Sequence, residues 1–142
     1  MAGHSDPGLR SIVFDCRDPY TLATWWAETI PGYGVRGWTD EIAEIWRRER
    51  GVERFEDAPS VVIDPVDGEG PNIWFNLVPE PKTGKNRLHV DVNVERFEDV
   101  DRLVERGATI VRPWGAVEHE PWVIMADPEG NVFCVFPLDR EG

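Results

Sequence analysis

The feature that most constrains this chain is a repeat. A strand, an Asp-Pro turn and a second strand occur as Ile63-Asp64-Pro65 to Gly68 and again as Ala126-Asp127-Pro128 to Gly130. Each copy closes a longer pattern of strand, helix and three strands, so the chain reads as two βαβββ modules. Module one covers 9–78, a Pro- and Lys-bearing linker covers 79–86, and module two covers 87–137. At 142 residues the pair makes a single domain of ordinary size. Eight strands against few helices predict an α+β fold, a curved, cup-like mixed sheet with helices on its outer face and the other face open to a ligand.

Local signals place the elements. Asp18 caps a helix whose first position is Pro19, with an apolar stripe of Leu22, Trp26 and Ile30 that stops at Pro31-Gly32. In module two, Val100, Leu103 and Val104 define a helix over 97–106, and Gly107 suits a left-handed C-cap. Strands are expected at 10–16, 35–38, 60–64, 72–78, 87–94, 109–111, 122–126 and 132–136. Module one is longer before its Asp-Pro turn, and the excess falls in the charged segment 39–58, read as an inserted amphipathic helix. Residues 1–8 read as a frayed tail.

Because strand side chains alternate, parity sorts them by face. Ile12, Phe14 and Cys16, then Ile73, Phe75 and Leu77, then Leu88, Val90 and Val92 are expected to meet the helices. That leaves Ser11, Val13, Asp15, Trp74, Asn76, His89, Asp91 and Asn93 on the open face. Cys134 and Phe136 are assigned there as well. Cys16 and Cys134 thus point opposite ways and are not expected to form a disulfide. Two cysteines and no apolar leader in Met1–Arg10 fit a reducing cytoplasm.

Charge narrows the partners. Fifteen basic residues against 27 acidic give a net charge of −12, which repels a phosphate backbone. No apolar run approaches the ~20 residues needed to span a bilayer. Neither nucleic acid nor a membrane is an expected partner. Seven tryptophans exceed the needs of a core this size, and Trp74, Trp114 and Trp122 are candidates to line a binding surface. With Asp15 and Asp91 aimed into the same space, a cationic or polar aromatic molecule is the expected ligand. His89 beside Asp91 has the makings of a general base with an orienting carboxylate, and Cys134 is a possible thiolate nearby. The loop Val117-Glu118-His119-Glu120-Pro121 reads as a solvated acidic turn.

The paired modules, Trp25-Trp26, Arg87-Leu88-His89-Val90-Asp91 and Asp127-Pro128-Glu129-Gly130-Asn131-Val132-Phe133-Cys134 together resemble the vicinal-oxygen-chelate superfamily. It includes glyoxalase I, extradiol dioxygenases, fosfomycin-resistance enzymes and bleomycin-binding proteins, and the glyoxalase-like subgroup is the most similar. The resemblance implies a homodimer and, in metal-using members, a divalent ion held by side chains from the first and last strand of each module. Carried over, those positions fall on Ser11, Asn76, His89 and Cys134, of which only His89 is a usual ligand. The expectation is therefore a glyoxalase/bleomycin-resistance-type protein without a cofactor, binding a small molecule through Asp15, Trp74, Asn76, Trp114, Trp122 and Cys134, with His89 and Asp91 as candidate catalytic groups. The alternative is a metal-dependent lyase, isomerase or dioxygenase with a rearranged site around His89, its ion held with Asn76 and Cys134. A third possibility is a regulatory module with a vestigial site.

Overall fold

A computed structural model describes residues 9–84, 86 and 88–140. Residues 1–8, read above as a tail, and Arg87, the expected first residue of the fifth strand, lie outside the described residues. The chain divides into two compact units between Glu80 and Pro81. Each carries one four-stranded mixed sheet, and together they show an α+β fold of two repeated modules.

Module one runs β1 (Ser11–Cys16), α1 (Pro19–Thr29), β2 (Tyr33–Val35), α2 (Asp40–Arg50), a single 3-10 turn (Phe55–Asp57), β3 (Ser60–Pro65) and β4 (Asn72–Leu77). The strand order is β1-β4-β3-β2, with β1 parallel to β4 and the other pairs antiparallel. The Asp18 carboxylate accepts from Thr21 N–H at 3.2 Å and so starts α1 as expected. Leu22, Ala23, Trp25 and Trp26 of that helix are buried, together with Val61, Ile63, Ile73 and Phe75 from the sheet. Phe14 joins them from β1, its ring 5.2 Å from Phe75 and 5.7 Å from Trp26. Burying such aromatic and aliphatic side chains contributes roughly 1.5–3 kcal/mol each.

The inserted segment behaves differently. Thr39 caps α2 by accepting from Ile42 N–H at 3.2 Å, and Gly51 ends it at φ 67°. Between those caps no residue is buried. Aromatic contacts tie the helix to its module: Trp46 lies parallel to Trp38 at 6.4 Å, and Trp38 meets Phe55 at 5.2 Å. This use of Trp38 explains why β2 ends at Val35 instead of reaching Trp38. The strand starts early, at Tyr33, because Gly32 turns the chain at φ 86° and its carbonyl receives Val66 N–H at 2.7 Å.

Module two runs β5 (Asp91–Val94), α3 (Asp99–Glu105), β6 (Thr109–Arg112), β7 (Val123–Ala126), β8 (Val132–Pro137) and a single 3-10 turn (Leu138–Arg140). Its order, β5-β8-β7-β6, repeats that of module one, again with the first and last strands parallel. Val92, Val100, Leu103, Val123, Met125, Phe133 and Val135 form the core. Gly107 takes φ 109° directly after the helix, as its position predicts. β5 begins at Asp91, four residues later than expected. Ahead of it the Asn86 side-chain amide donates to Leu88 O and Val132 O, at 3.1 and 3.0 Å, in place of ladder bonds. Leu88, expected inward, is therefore exposed, as is Leu77 at the far end of β4. Neither Cys16 nor Cys134 is in a disulfide; both are buried thiols.

Candidate functional site

The faces opposite the two cores carry the candidate polar groups, and strand pairing determines which of them meet. In module two, Asp91 of β5 stands opposite Cys134 of β8, Cys134 opposite Ile124 of β7, and Ile124 opposite Arg112 of β6. Cross-strand partners share a face, so these four residues form one row across the whole sheet. Arg112 enters it through a β-bulge: the register shifts between Ile110 and Arg112, leaving Val111 as the extra residue. Phe136 and Trp122, two residues along from Cys134 and Ile124, lie beside the row with ring centroids 5.4 Å apart. Arg112 sits 5.9 Å over Trp122 and is ion-paired with Glu120.

His89 precedes β5 and leans back on it, its Nε2 3.4 Å from Asp91 Oδ1. One ligand atom each from His89, Asp91 and Cys134 lie within 4.8 Å of one another. His89 and Asp91 are about half exposed, while Cys134 is buried. Burial first, then the Asp91 carboxylate, push the Cys134 thiol above its ordinary range, against an opposing pull from Arg112. An activated thiolate is not what this environment favours by itself.

Module one presents two polar rows. Asp15, Asn76 and Ser60 are paired across β1, β4 and β3, and Ser60 Oγ donates to Asn76 Oδ1 at 2.7 Å. In the other, Ser11 donates to Asn72 Oδ1, its partner on β4, and Arg36 clamps Asp64 through two bonds of 2.7 Å. The Arg36 guanidinium, helped by Asn72, holds the Asp64 carboxyl below the usual range in spite of partial burial. Arg36 also lies 5.8 Å over Trp74, so each module keeps an arginine on a tryptophan and ties it to a carboxylate.

These contacts test the metal positions carried over from the resemblance, and the residues do not fit. Ser11 pairs with Asn72, not Asn76, so the two module-one positions lie four residues apart along the sheet, about 13 Å at 3.3 Å per residue. Counting from the strand pairs, Val13 stands before Asp15 as His89 stands before Asp91, and Val13 has no donor atom. The Ser11 hydroxyl and the Asn76 carbonyl oxygen are already engaged.

Trp122 and Cys134 come together with His89 and Asp91 on module two's face, and Asp15, Trp74 and Asn76 share module one's. Trp114 joins neither group: it packs edge-on against Phe97 at 5.7 Å, and Arg140 covers that ring. The acidic loop splits. Glu118 and His119 are almost fully exposed, whereas Glu120 turns in to Arg112. Sequence reasoning missed Arg112, Glu120, Arg36, Asp64, Ser60 and Asn72. No charged residue lies within four positions of Trp74, so nothing local marks the Arg36 pair, and near Trp122 only the acidic loop stands out.

The sequence profile of the glyoxalase-like domain family matches residues 11–136. Among solved structures, a glyoxalase/bleomycin resistance protein/dioxygenase family enzyme from Burkholderia phytofirmans PsJN aligns with a TM-score of 0.57 and 18% identity, over 91% of this chain and 97% of that one. The fosfomycin resistance protein FosX from Mesorhizobium loti gives 0.55 and 16%, over 91% and 90%. A glyoxalase family protein from Bacillus cereus gives 0.51 and 17%, over 94% and 97%. No curated protein sequence is recognisably similar. The repeated modules and these matches define a vicinal-oxygen-chelate fold. Within that superfamily, the chain belongs to the glyoxalase-like domain family.

Proposed function

We propose that this protein binds a small polar aromatic or cationic molecule and that the four-ligand metal site of its metal-using relatives has degenerated. The observation that carries this reading is the face of module two. There Trp122 and Phe136 form an apolar platform beside a row with a carboxylate, Asp91, at one end and a guanidinium, Arg112, at the other. A planar body with a polar or charged substituent suits such a surface. Asp15 beside Asn76, with Trp74 nearby on β4, offers a smaller version in module one. The pairing misfit of Ser11 and Asn76 supports the loss of the tetrad. Homodimerisation belongs to the same reading, and a monomeric mass in light scattering would remove it.

The test is tryptophan fluorescence with a panel of cationic, neutral and anionic aromatic compounds, each recovered afterwards and checked for chemical change. Saturable quenching by a cationic or polar member, weakened by Asp91→Asn and by Trp122→Phe, with the compound returned intact, is the expected result. Turnover of any member, or no quenching by all of them, refutes the binding reading.

A further inference from the structure

We infer that Arg112 is a carboxylate subsite on the face of module two, held by the chain's own Glu120 until a ligand replaces it. The ligand class is then an aromatic carboxylate. This rests on the platform reading above and narrows its polar aromatic class. Both modules lay an arginine on a tryptophan and pair it with a carboxylate, but the two pairs are not equally complete. In module one the Asp64 carboxylate takes Nε and Nη2 of Arg36 together, at 2.7 Å each, the two-pronged match that a guanidinium offers. In module two Glu120 accepts from Nη2 of Arg112. The Nε of Arg112 is buried without an acceptor, one of two buried side-chain polar atoms with no partner among the described residues. A buried donor left unmade is costly, so this half of the fork calls for an occupant.

Glu120 is a removable occupant. Asp64 stands on β3, whereas Glu120 stands in the irregular segment 113–122 between β6 and β7. Its neighbours Glu118 and His119 are almost fully exposed, so little burial anchors that segment. His119, immediately before it, holds a left-handed φ of 66°, which a residue with a Cβ adopts at a cost. Arg112 is fixed by contrast: the bulge turns it into the Asp91–Cys134 row, and its guanidinium lies 5.9 Å over Trp122. A ligand carboxylate in Glu120's place takes Nε and Nη2 together while its ring meets Trp122 and Phe136. Exchanging one carboxylate for another leaves the charge of the face unaltered. A phosphate dianion would add to it, in a chain of net −12. Asp91, at the opposite end of the row, suits a cationic or hydrogen-bonding substituent on the same ring.

The experiment titrates benzoate, its neutral isostere benzamide, and benzylamine into the full chain and follows tryptophan fluorescence. Benzoate should quench saturably, and benzamide should bind at least about tenfold more weakly, having no charge for the guanidinium. Glu120→Gln should tighten benzoate by about tenfold or more, because the open form of the subsite is otherwise a minor state. Such a gain cannot arise from misfolding. Glu118→Gln removes the same charge two residues away and should change nothing. Arg112→Lys keeps the charge but loses the fork, and should weaken benzoate by about tenfold or more. No tightening in Glu120→Gln overturns the inference, as does equal tightening in Glu118→Gln, or benzamide binding as tightly as benzoate. Quenching by benzylamine that Asp91→Asn weakens, with none by benzoate, overturns this inference alone. Quenching by neither removes the platform reading with it.

Discussion

Cys134 has charged neighbours of both signs, and the two strongest make opposite predictions. Asp91 pushes the thiol up and Arg112 pulls it down. In the presence of a chelator, Asp91→Asn should therefore shift the pH midpoint of Cys134 alkylation downward, and Arg112→Gln should shift it upward, as followed by mass spectrometry of the labelled peptide. Asp64 offers a stability test with a definite sign. Its carboxyl is held low in the folded state, so its contribution is present above the usual carboxylate value of about 3.9 and is lost as pH falls through the depressed one. Because the Arg36–Asp64 pair is partly exposed, the wild type should exceed Asp64→Asn by at most about 1 kcal/mol at neutral pH. Thermal melts should show that gap closing in acid. Asp127 occupies the matching place in the second repeat and does a different job. It is buried and accepts from Glu129 N–H, Asn131 N–H and the Asn131 side chain at 2.9 Å. Asp127→Ala strips a charged acceptor from several donors and should cost about 1.5–3 kcal/mol in urea denaturation. The two aspartates are identical in the repeat signature, yet nothing local to either distinguishes a turn-holding residue from an arginine clamp. That difference depends on Arg36, 28 positions away from Asp64.

Elements show the same division between what local chemistry dictates and what pairing decides. The Asp18 cap of α1, the turn glycines and the face of Asp91 and Cys134 are all legible, because each follows from a neighbour in sequence or from strand alternation. The bulge at Val111 is not. Thr109-Ile110-Val111-Arg112 is an unmarked β run, and only its pairing with β7 shows that one residue is surplus and that Arg112 rotates into the Cys134 row. Ser11 is out of reach of sequence reading for a related reason: its place at the start of β1 says nothing of its partner on β4, which is Asn72 and not Asn76. For α2, a helix with both caps and no buried residue, stability and presence separate. Its amides should exchange with solvent through local opening, while those around Leu22 and Trp26 in α1 exchange only on global unfolding. Gly51→Ala forces a Cβ into a left-handed cap and should cost the helix about 1 kcal/mol. Far-UV ellipticity should fall, and the melting temperature of the protein should scarcely move.

At the scale of the whole molecule, a net charge of −12 surrounds both sheets. A cationic ligand should associate faster as salt is lowered, because the Debye length grows from about 10 Å at 0.1 M to about 30 Å at 0.01 M. Stopped-flow quenching that is indifferent to salt would argue for a neutral ligand. No described helix is long and apolar enough to cross a membrane, which agrees with a chain whose apolar residues go into two small cores. The repeat has one last consequence. The hydrogen bonds that Asp127 accepts from Glu129 and Asn131 stay within a five-residue turn, whereas Asp64 is bonded to Arg36, which follows the neighbouring strand β2 and lies 28 positions earlier in the chain. In the bonds its aspartate accepts, the second turn is self-contained and the first is not. Grafted into module one, 127–131 brings its own acceptor. Moved the other way, 64–68 would leave Arg36 behind on the Trp74 ring with no counter-ion, so any exchange of parts between these two halves runs in one direction.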